Sequence, residues 1–223
     1  MTSRSAPSSP SAEDDAARLA VEATHRAEWG RLLALLINRT RRLDLAEDAL
    51  AEAFARASAR WARDGLPTNP TGWLATTAHR IVLGRLRAEA VAGRHSPVLA
   101  RRDHSPDDPL DALDELPDDR LQLVLLCCHP ALDPAARSAL ALRLVLGTST
   151  ADIARLFLVD TPTMAARITR AKRKIVTAGI LLTSPAGAEL NVRLDGVART
   201  VYLAFTAGYA PGSGEALVRA DLA

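Results

Sequence analysis

The stretch that most constrains this 223-residue chain is Thr148 to Ile175, TSTADIARLFLVDTPTMAARITRAKRKI. Its apolar residues recur at helical spacing on both sides of a short break. Ile153, Ala154 and Phe157 form the inner side of a first short helix that Thr150 can cap. Val159 and Asp160 fill a turn. Thr161 is the expected N-cap of a second helix, with Pro162 at the first helical position, where its missing N–H is harmless. On that helix Met164, Ile168, Ala171 and Ile175 recur at steps of four, three and four, making one apolar stripe. Arg167, Arg170 and Lys174 lie on another face, flanked by Lys172 and Arg173, and no acid interrupts them. A helix with one apolar stripe and one cationic face, held across a short turn, has the pattern of a helix-turn-helix reader of DNA.

A basic helical face taken alone is most often just a solvated face. The residues upstream make this one more specific. Asp133-Pro134 opens a preceding helix, Ala136, Leu140 and Leu144 stripe it, and Gly147 ends it. Three helices with these breaks are what such a reader needs as a support.

The chain is rich in Ala, Leu and Arg and only 4% aromatic, which favours helix over sheet. Its net charge is only +2, so a DNA-binding surface requires segregation of charge. That segregation is present: Asp103, Asp107, Asp108, Asp111, Asp114, Glu115, Asp118 and Asp119 cluster, with the bases on either side. The chain start, MTSRSAPSSPSAEDD, has no apolar core of a secretory signal, and no apolar run nears the ~20 residues of a membrane span. The two cysteines, Cys127 and Cys128, are adjacent and make no disulfide framework. These features predict a cytoplasmic location.

Taken in order, residues 1–16 are Ser, Pro, Ala and acid and read as a disordered tail. Residues 17–87 read as a helical domain. Leu32, Leu33, Leu36 and Ile37 form one core stripe, and Leu50, Phe54 and Ala57 another. Between them Asp44, Glu47, Asp48 and Glu52 make an acidic face. Asp64 to Gly72 is a loop by its Gly and Pro content, and a helix resumes at Trp73 with Ala78, Ile81 and Leu86 on one side. Residues 88–117 form an acidic, Pro-broken linker. Residues 118–179 hold the helix LQLVLLCCH and the helix-turn-helix, and residues 180–223 begin a helical C-terminal extension. The fold class is therefore all-α: two small helical domains, a flexible acidic linker and a short C-terminal helical segment.

Two segments together resemble bacterial RNA polymerase sigma factors of the extracytoplasmic-function type. Arg42 to Arg87, RLDLAEDALAEAFARASARWARDGLPTNPTGWLATTAHRIVLGRLR, is similar to the promoter-melting domain, and Asp133 to Ile175 to the domain that reads the −35 element. LLCCHPALDP, LFLVDTPTMAARITRAKRKI and VYLAFTAGYAPGSGEALVRADL resemble a subgroup with a helical, repeat-like C-terminal extension. The resemblance implies a factor that binds polymerase core and brings it to a promoter. It implies that Asp44, Glu47, Asp48, Glu52 and Phe54 dock on the clamp helices of the largest polymerase subunit. It implies that Trp73, Thr76, Arg80, Arg85 and Arg87 meet the melted −10 strand, where rings stack on bases and guanidinium pairs with phosphate. It implies −35 duplex contacts for Thr161, Thr163, Arg167, Arg170, Lys172, Arg173 and Lys174. The chain departs from the family at Arg80 and Gly84, where Asn and Asp are usual, at Ala51 in the acidic helix, and at Ala165 and Ala166 on the reading helix. Base readout then rests chiefly on Thr163, Arg167 and Arg170.

Other chemistries fit less well. Cys127, Cys128 and His129 suggest zinc, but a zinc site needs about four ligands, and adjacent helical cysteines point ~100° apart. Buried apolar cysteine is the expected role, with no metal or cofactor. The carboxylates near Glu47 lack a phosphate loop, nucleophile elbow or His partner, so no enzymatic activity is expected. Two other functions compete: a stand-alone helix-turn-helix regulator, and a helical interaction module whose DNA binding has decayed.

The C-terminal part carries a separate expectation. Leu190 to Phe205 should form a helix striped by Leu190, Leu194, Val197, Val201 and Phe205 and widened by Val192, Ala198, Tyr202 and Leu203. So apolar a helix needs a cover. The two turns of helix expected before Ala223 are too short to supply it. The cover is expected from this chain's own domains, masking the basic helix, with a second copy or further helices absent from this sequence as the alternatives.

Overall fold

The computed structural model describes residues 12–91 and 119–209. The expected linker acids from Asp103 to Asp118, the tail before residue 12 and the helix expected beyond Tyr209 lie outside the described residues. All regular structure among the described residues is helical. Three helices come from the first part: α1 (Ala12–Thr40), α2 (Leu43–Asp64) and α3 (Pro70–Val91). Five come from the second: α4 (Arg120–Cys127), α5 (Pro134–Leu144), α6 (Thr150–Leu156), α7 (Thr161–Thr177) and α8 (Ala188–Tyr209).

Helix α1 begins inside the stretch expected to be a disordered tail. Asp15 stands in its first turn and pairs with Arg18 at 3.2 Å. Ala17 is already buried. Its stripe of Leu32, Leu33, Leu36 and Ile37 packs on α2, which contributes Leu50, Phe54 and Ala57, and all seven are buried as expected. Helix α3 closes this group with Leu74, Ala75, Ala78, Ile81 and Val82. It starts earlier than Trp73 because Asn69 accepts from the N–H of Gly72 at 2.8 Å and secures the first turn. It ends at Val91, past the expected linker start.

Helix α4 ends at Cys127, short of Pro130. The chain then turns through Cys128 and His129, whose Nδ1 accepts from Ala131 N–H at 3.1 Å. Asp133 caps α5 by accepting from Ala135 and Ala136, and Pro134 takes the first helical position as the sequence predicts. Cys127 and Cys128 are both fully buried, and burial raises both thiol pKa values.

The two helical groups share one continuous buried cluster. Helix α1 packs on α4 and α5, and α2 touches α7. At this joint Gly30 sits so close to the second group that a Cβ would lie 2.3 Å from the carbonyl oxygen of Val145. Gly147, at φ 65°, faces His25 and Trp29, and a Cβ there would lie 2.6 Å from the His25 ring. Asn38 on α1 donates a hydrogen bond to Asp119 at the start of α4.

Helix α8 forms where expected and docks on α5 and α4. The face it buries differs from the expected stripe. Arg193, Gly196 and Thr200 point inward, while Leu194, Val201 and Phe205 are 45%, 61% and 49% exposed. The inner face is chosen by fit. A Cβ at Gly196 would lie 3.1 Å from that of Cys128, Thr200 meets Ser138 at 3.3 Å, and the Arg193 guanidinium donates to the Leu125 carbonyl at 3.1 Å. Helix α8 covers the back of the second group and does not mask the basic face of α7.

Candidate nucleic-acid interface

Helix α6, the turn and α7 form a helix-turn-helix. Ser149, not Thr150, caps α6: its Oγ accepts from Asp152 N–H at 3.1 Å and donates to the Asp152 carboxylate at 2.8 Å. The helix ends in a Schellman turn. Val159 N–H bonds the Ala154 carbonyl at 3.0 Å and Leu158 N–H bonds Arg155 at 3.1 Å. The residue that must turn left-handed there is Leu158, at φ 53°, where glycine is usual. Asp160, not Thr161, then caps α7, accepting from Thr163 N–H at 2.6 Å, which lowers the Asp160 pKa. Thr161 and Pro162 occupy the first two helical positions, where a backbone N–H has no intrahelical acceptor and proline loses nothing by lacking one.

The α7 stripe of Met164, Ile168, Ala171 and Ile175 is buried throughout. This fixes the rotation of the helix and so decides which cations face out. Thr161, Thr163, Arg170, Arg173 and Lys174 are exposed. Arg167 is half-buried, with its guanidinium 5.9 Å from the centre of the Phe157 ring. Arg167, Arg170 and Lys174 line a groove of about 370 Å³ with Leu132, Asp133 and Ala136 of the α4–α5 corner. Lys172 is set apart. It pairs with Glu47 of α2, across the joint between the two helical groups.

In the first group, Trp73 is half-buried, edge-on to Trp61 with ring centres 5.8 Å apart. Thr76 is half-buried, and Arg80 and Arg87 are exposed. Arg85 points across to α2, bonding Glu52 at 2.8 Å with Asp48 at 3.6 Å. It thus joins the acidic face rather than the surface of Arg80.

The five α2 residues divide. Asp48 and Glu52 share the outer face, and Asp44 is exposed beside Arg42. That guanidinium bonds Asp44 at 2.9 Å and holds its carboxyl below the ordinary aspartate range. Phe54 and Glu47 are not on this face. Phe54 is buried against Trp29 and His25, because its position continues the Leu50 stripe. Glu47 has a side chain only 8% exposed and lies between Lys172 and Arg143, the latter at 3.6 Å. A carboxylate so buried needs its cations: stripping them would cost on the order of 3–5 kcal/mol. Arg143 also stands 5.9 Å over the Trp29 ring. Burial beside Trp29 and Phe54, and then the charge of Arg143, lower the pKa of His25. Nothing in the sequence pattern distinguishes Glu47 from its acidic neighbours; its partners come from another part of the chain.

Residues 122–175 match the family model described as Sigma-70, region 4. The match spans α5, α6 and most of α4 and α7. An uncharacterized protein of Rhizobium meliloti (strain 1021) is similar, 38% identical over 191 residues, covering 84% of this chain and 45% of the relative. The chain thus spans less than half the length of that relative. No solved structure matches it.

Proposed function

We propose, from a chain whose residues 122–175 carry a sigma-70 region 4 domain, that the protein is a sigma factor of the extracytoplasmic-function type. It binds RNA polymerase core, directs it to promoter DNA and initiates transcription. The observation that carries this reading is the coincidence of that match with a helix-turn-helix whose buried stripe turns Arg170, Arg173 and Lys174 outward. Residues 118–179 then read the −35 duplex. Residues 17–87 form the polymerase-binding and promoter-melting unit, with 88–117 as the connection. The activity is one of binding rather than catalysis, and it is exercised in the cytoplasm. No helix among the described residues is long and apolar enough to cross a membrane.

Thr163, Arg167 and Arg170 reach base edges on this reading, while Lys174 and Arg173 meet phosphates. Arg80 and Arg87 track the melted −10 strand, with the half-buried Trp73 ring on the same helix. Asp44, Asp48 and Glu52 supply the acidic surface for the polymerase clamp helices. A stand-alone regulator would have no use for that surface.

The test is co-purification with core polymerase. Asp48→Arg with Glu52→Arg sets like charge against a basic partner, a cost of several kcal/mol. The double variant should melt within a few degrees of wild type yet lose core polymerase at moderate salt. Retention of polymerase by a folded double variant contradicts the docking assignment.

A further inference from the structure

We propose that Arg85 is a positioning residue for polymerase docking. Its guanidinium holds Asp48 and Glu52 in the arrangement the partner meets, and it takes no part in binding the melted strand. The proposal rests on the sigma-factor reading, which supplies polymerase as the partner of this face.

Helix α3 carries three arginines in its second half, and its rotation separates them. Ile81 and Val82 are buried, and Arg85, one turn further on, lies at the rim of that buried face. Arg80 and Arg87 are exposed and seven positions apart, hence on one side of the helix. Arg85 is turned away from both by about 140–160°. A strand that follows Arg80 and Arg87 runs along the other side of α3 from Arg85.

Across the seam with α2, Asp48 and Glu52 stand one turn apart on the same face. Two carboxylates at that spacing repel each other. Arg85 meets both: Nη2 donates to Glu52 Oε2 at 2.8 Å, and Nη1 stands 3.6 Å from Asp48 Oδ2. Arg56 donates to the other Glu52 oxygen, so both oxygens of that carboxylate are bonded. The Asp48 side chain remains 73% exposed, against 36% for Glu52. Asp44 is held in the same way by Arg42, which also bonds Glu89 of α3 at 3.3 Å.

These contacts divide the work between the two acids. Glu52 spends its charge on Arg85 and Arg56 and fixes the shape of the face, while Asp48 keeps the exposed carboxylate for a cation of the partner. The planar fork of a guanidinium can serve two carboxylates at once. A side chain already fixed before docking gives up less freedom on docking. Charge counting alone predicts the opposite outcome. Arg85 is a cation on a face meant for a basic partner, so if it merely diluted the acids, its removal would tighten docking. The sign of the effect therefore decides between the two.

The full chain with Arg85→Met should be titrated against core polymerase, and into run-off transcription from pooled genomic fragments. It should melt within a few degrees of wild type and bind core polymerase about tenfold more weakly. Transcription should then need correspondingly more chain to reach half its maximum, yet rise to the wild-type plateau. Arg85→Lys keeps a donor for Glu52 and should recover most of the loss. In a Glu52→Gln background, where the guanidinium has lost its main partner, Arg85→Met should add no further loss. Arg85→Gln, of similar length and uncharged, gives the same comparison if Arg85→Met does not fold. Unchanged or tighter polymerase binding in the folded, uncharged variant overturns the positioning role. A lowered plateau with unchanged polymerase binding also overturns it and returns Arg85 to the melted strand. If wild type itself does not bind core polymerase, the sigma-factor reading falls, and this assignment falls with it.

Discussion

Leu158 shows how much one residue can reveal about a turn. It is left-handed, 92% exposed, and occupies the position where glycine would end α6 without strain. A left-handed L-residue costs about 1–2 kcal/mol, and the extra freedom of glycine in the unfolded chain returns about 0.4–1 kcal/mol of that. Leu158→Gly should therefore stabilise the protein by about 0.5–1 kcal/mol in denaturant melts, with DNA binding unchanged. A loss of stability would mean that the Leu158 side chain makes a contact that matters. The N-caps of α6 and α7 were nearly legible. Ser149-Thr150 and Asp160-Thr161 are pairs of adjacent capping residues, and spacing alone does not choose between them. The structure takes the first of each pair, which puts Pro162 at the second helical position and leaves Asp160 to bond Thr163. Glu47 was not legible at all, because burial of a carboxylate depends on cations brought from another part of the chain.

At the scale of elements, α7 was read correctly because a single apolar stripe fixes both its period and its inward face. Its outward face carries the prediction. Arg167→Ala and Arg170→Ala should each lose ~1–3 kcal/mol of discrimination between matched and mutated −35 sites, the scale of a bidentate arginine–guanine pair. Lys174→Ala should weaken matched and mutated sites alike, since phosphate contacts carry no sequence information. Unchanged affinity and specificity in both arginine variants would remove the reading helix from the site. Helix α8 shows where such pattern reading fails. The eye follows Leu194, Val201 and Phe205, but the helix buries Arg193, Gly196 and Thr200. Its docking site already contains Cys128, Ser138 and the Leu125 carbonyl. A small residue and two hydrogen-bonding side chains fit that surface closely, and period counting does not see the partner.

At the scale of the whole molecule, the all-α class and the helix-turn-helix followed from composition and periodicity, because local patterns dictate local structure. The merging of the two helical groups into one buried cluster did not. It depends on Gly30 meeting Val145, Gly147 meeting His25 and Trp29, and Glu47 meeting Lys172, all contacts between residues far apart in sequence. The proposed function requires one chain to hold core polymerase and a promoter together, and transcription is its direct readout. Core polymerase should be incubated with pooled genomic fragments, with and without the full chain, and the run-off products sequenced. The account predicts transcripts that start at defined sites only when the chain is present. Those transcripts should share −10 and −35 sequences and disappear with Asp48→Arg/Glu52→Arg or with Arg167→Ala/Arg170→Ala. A chain that binds duplex specifically yet yields no chain-dependent transcript from any fragment would contradict it and identify a regulator that acts without polymerase.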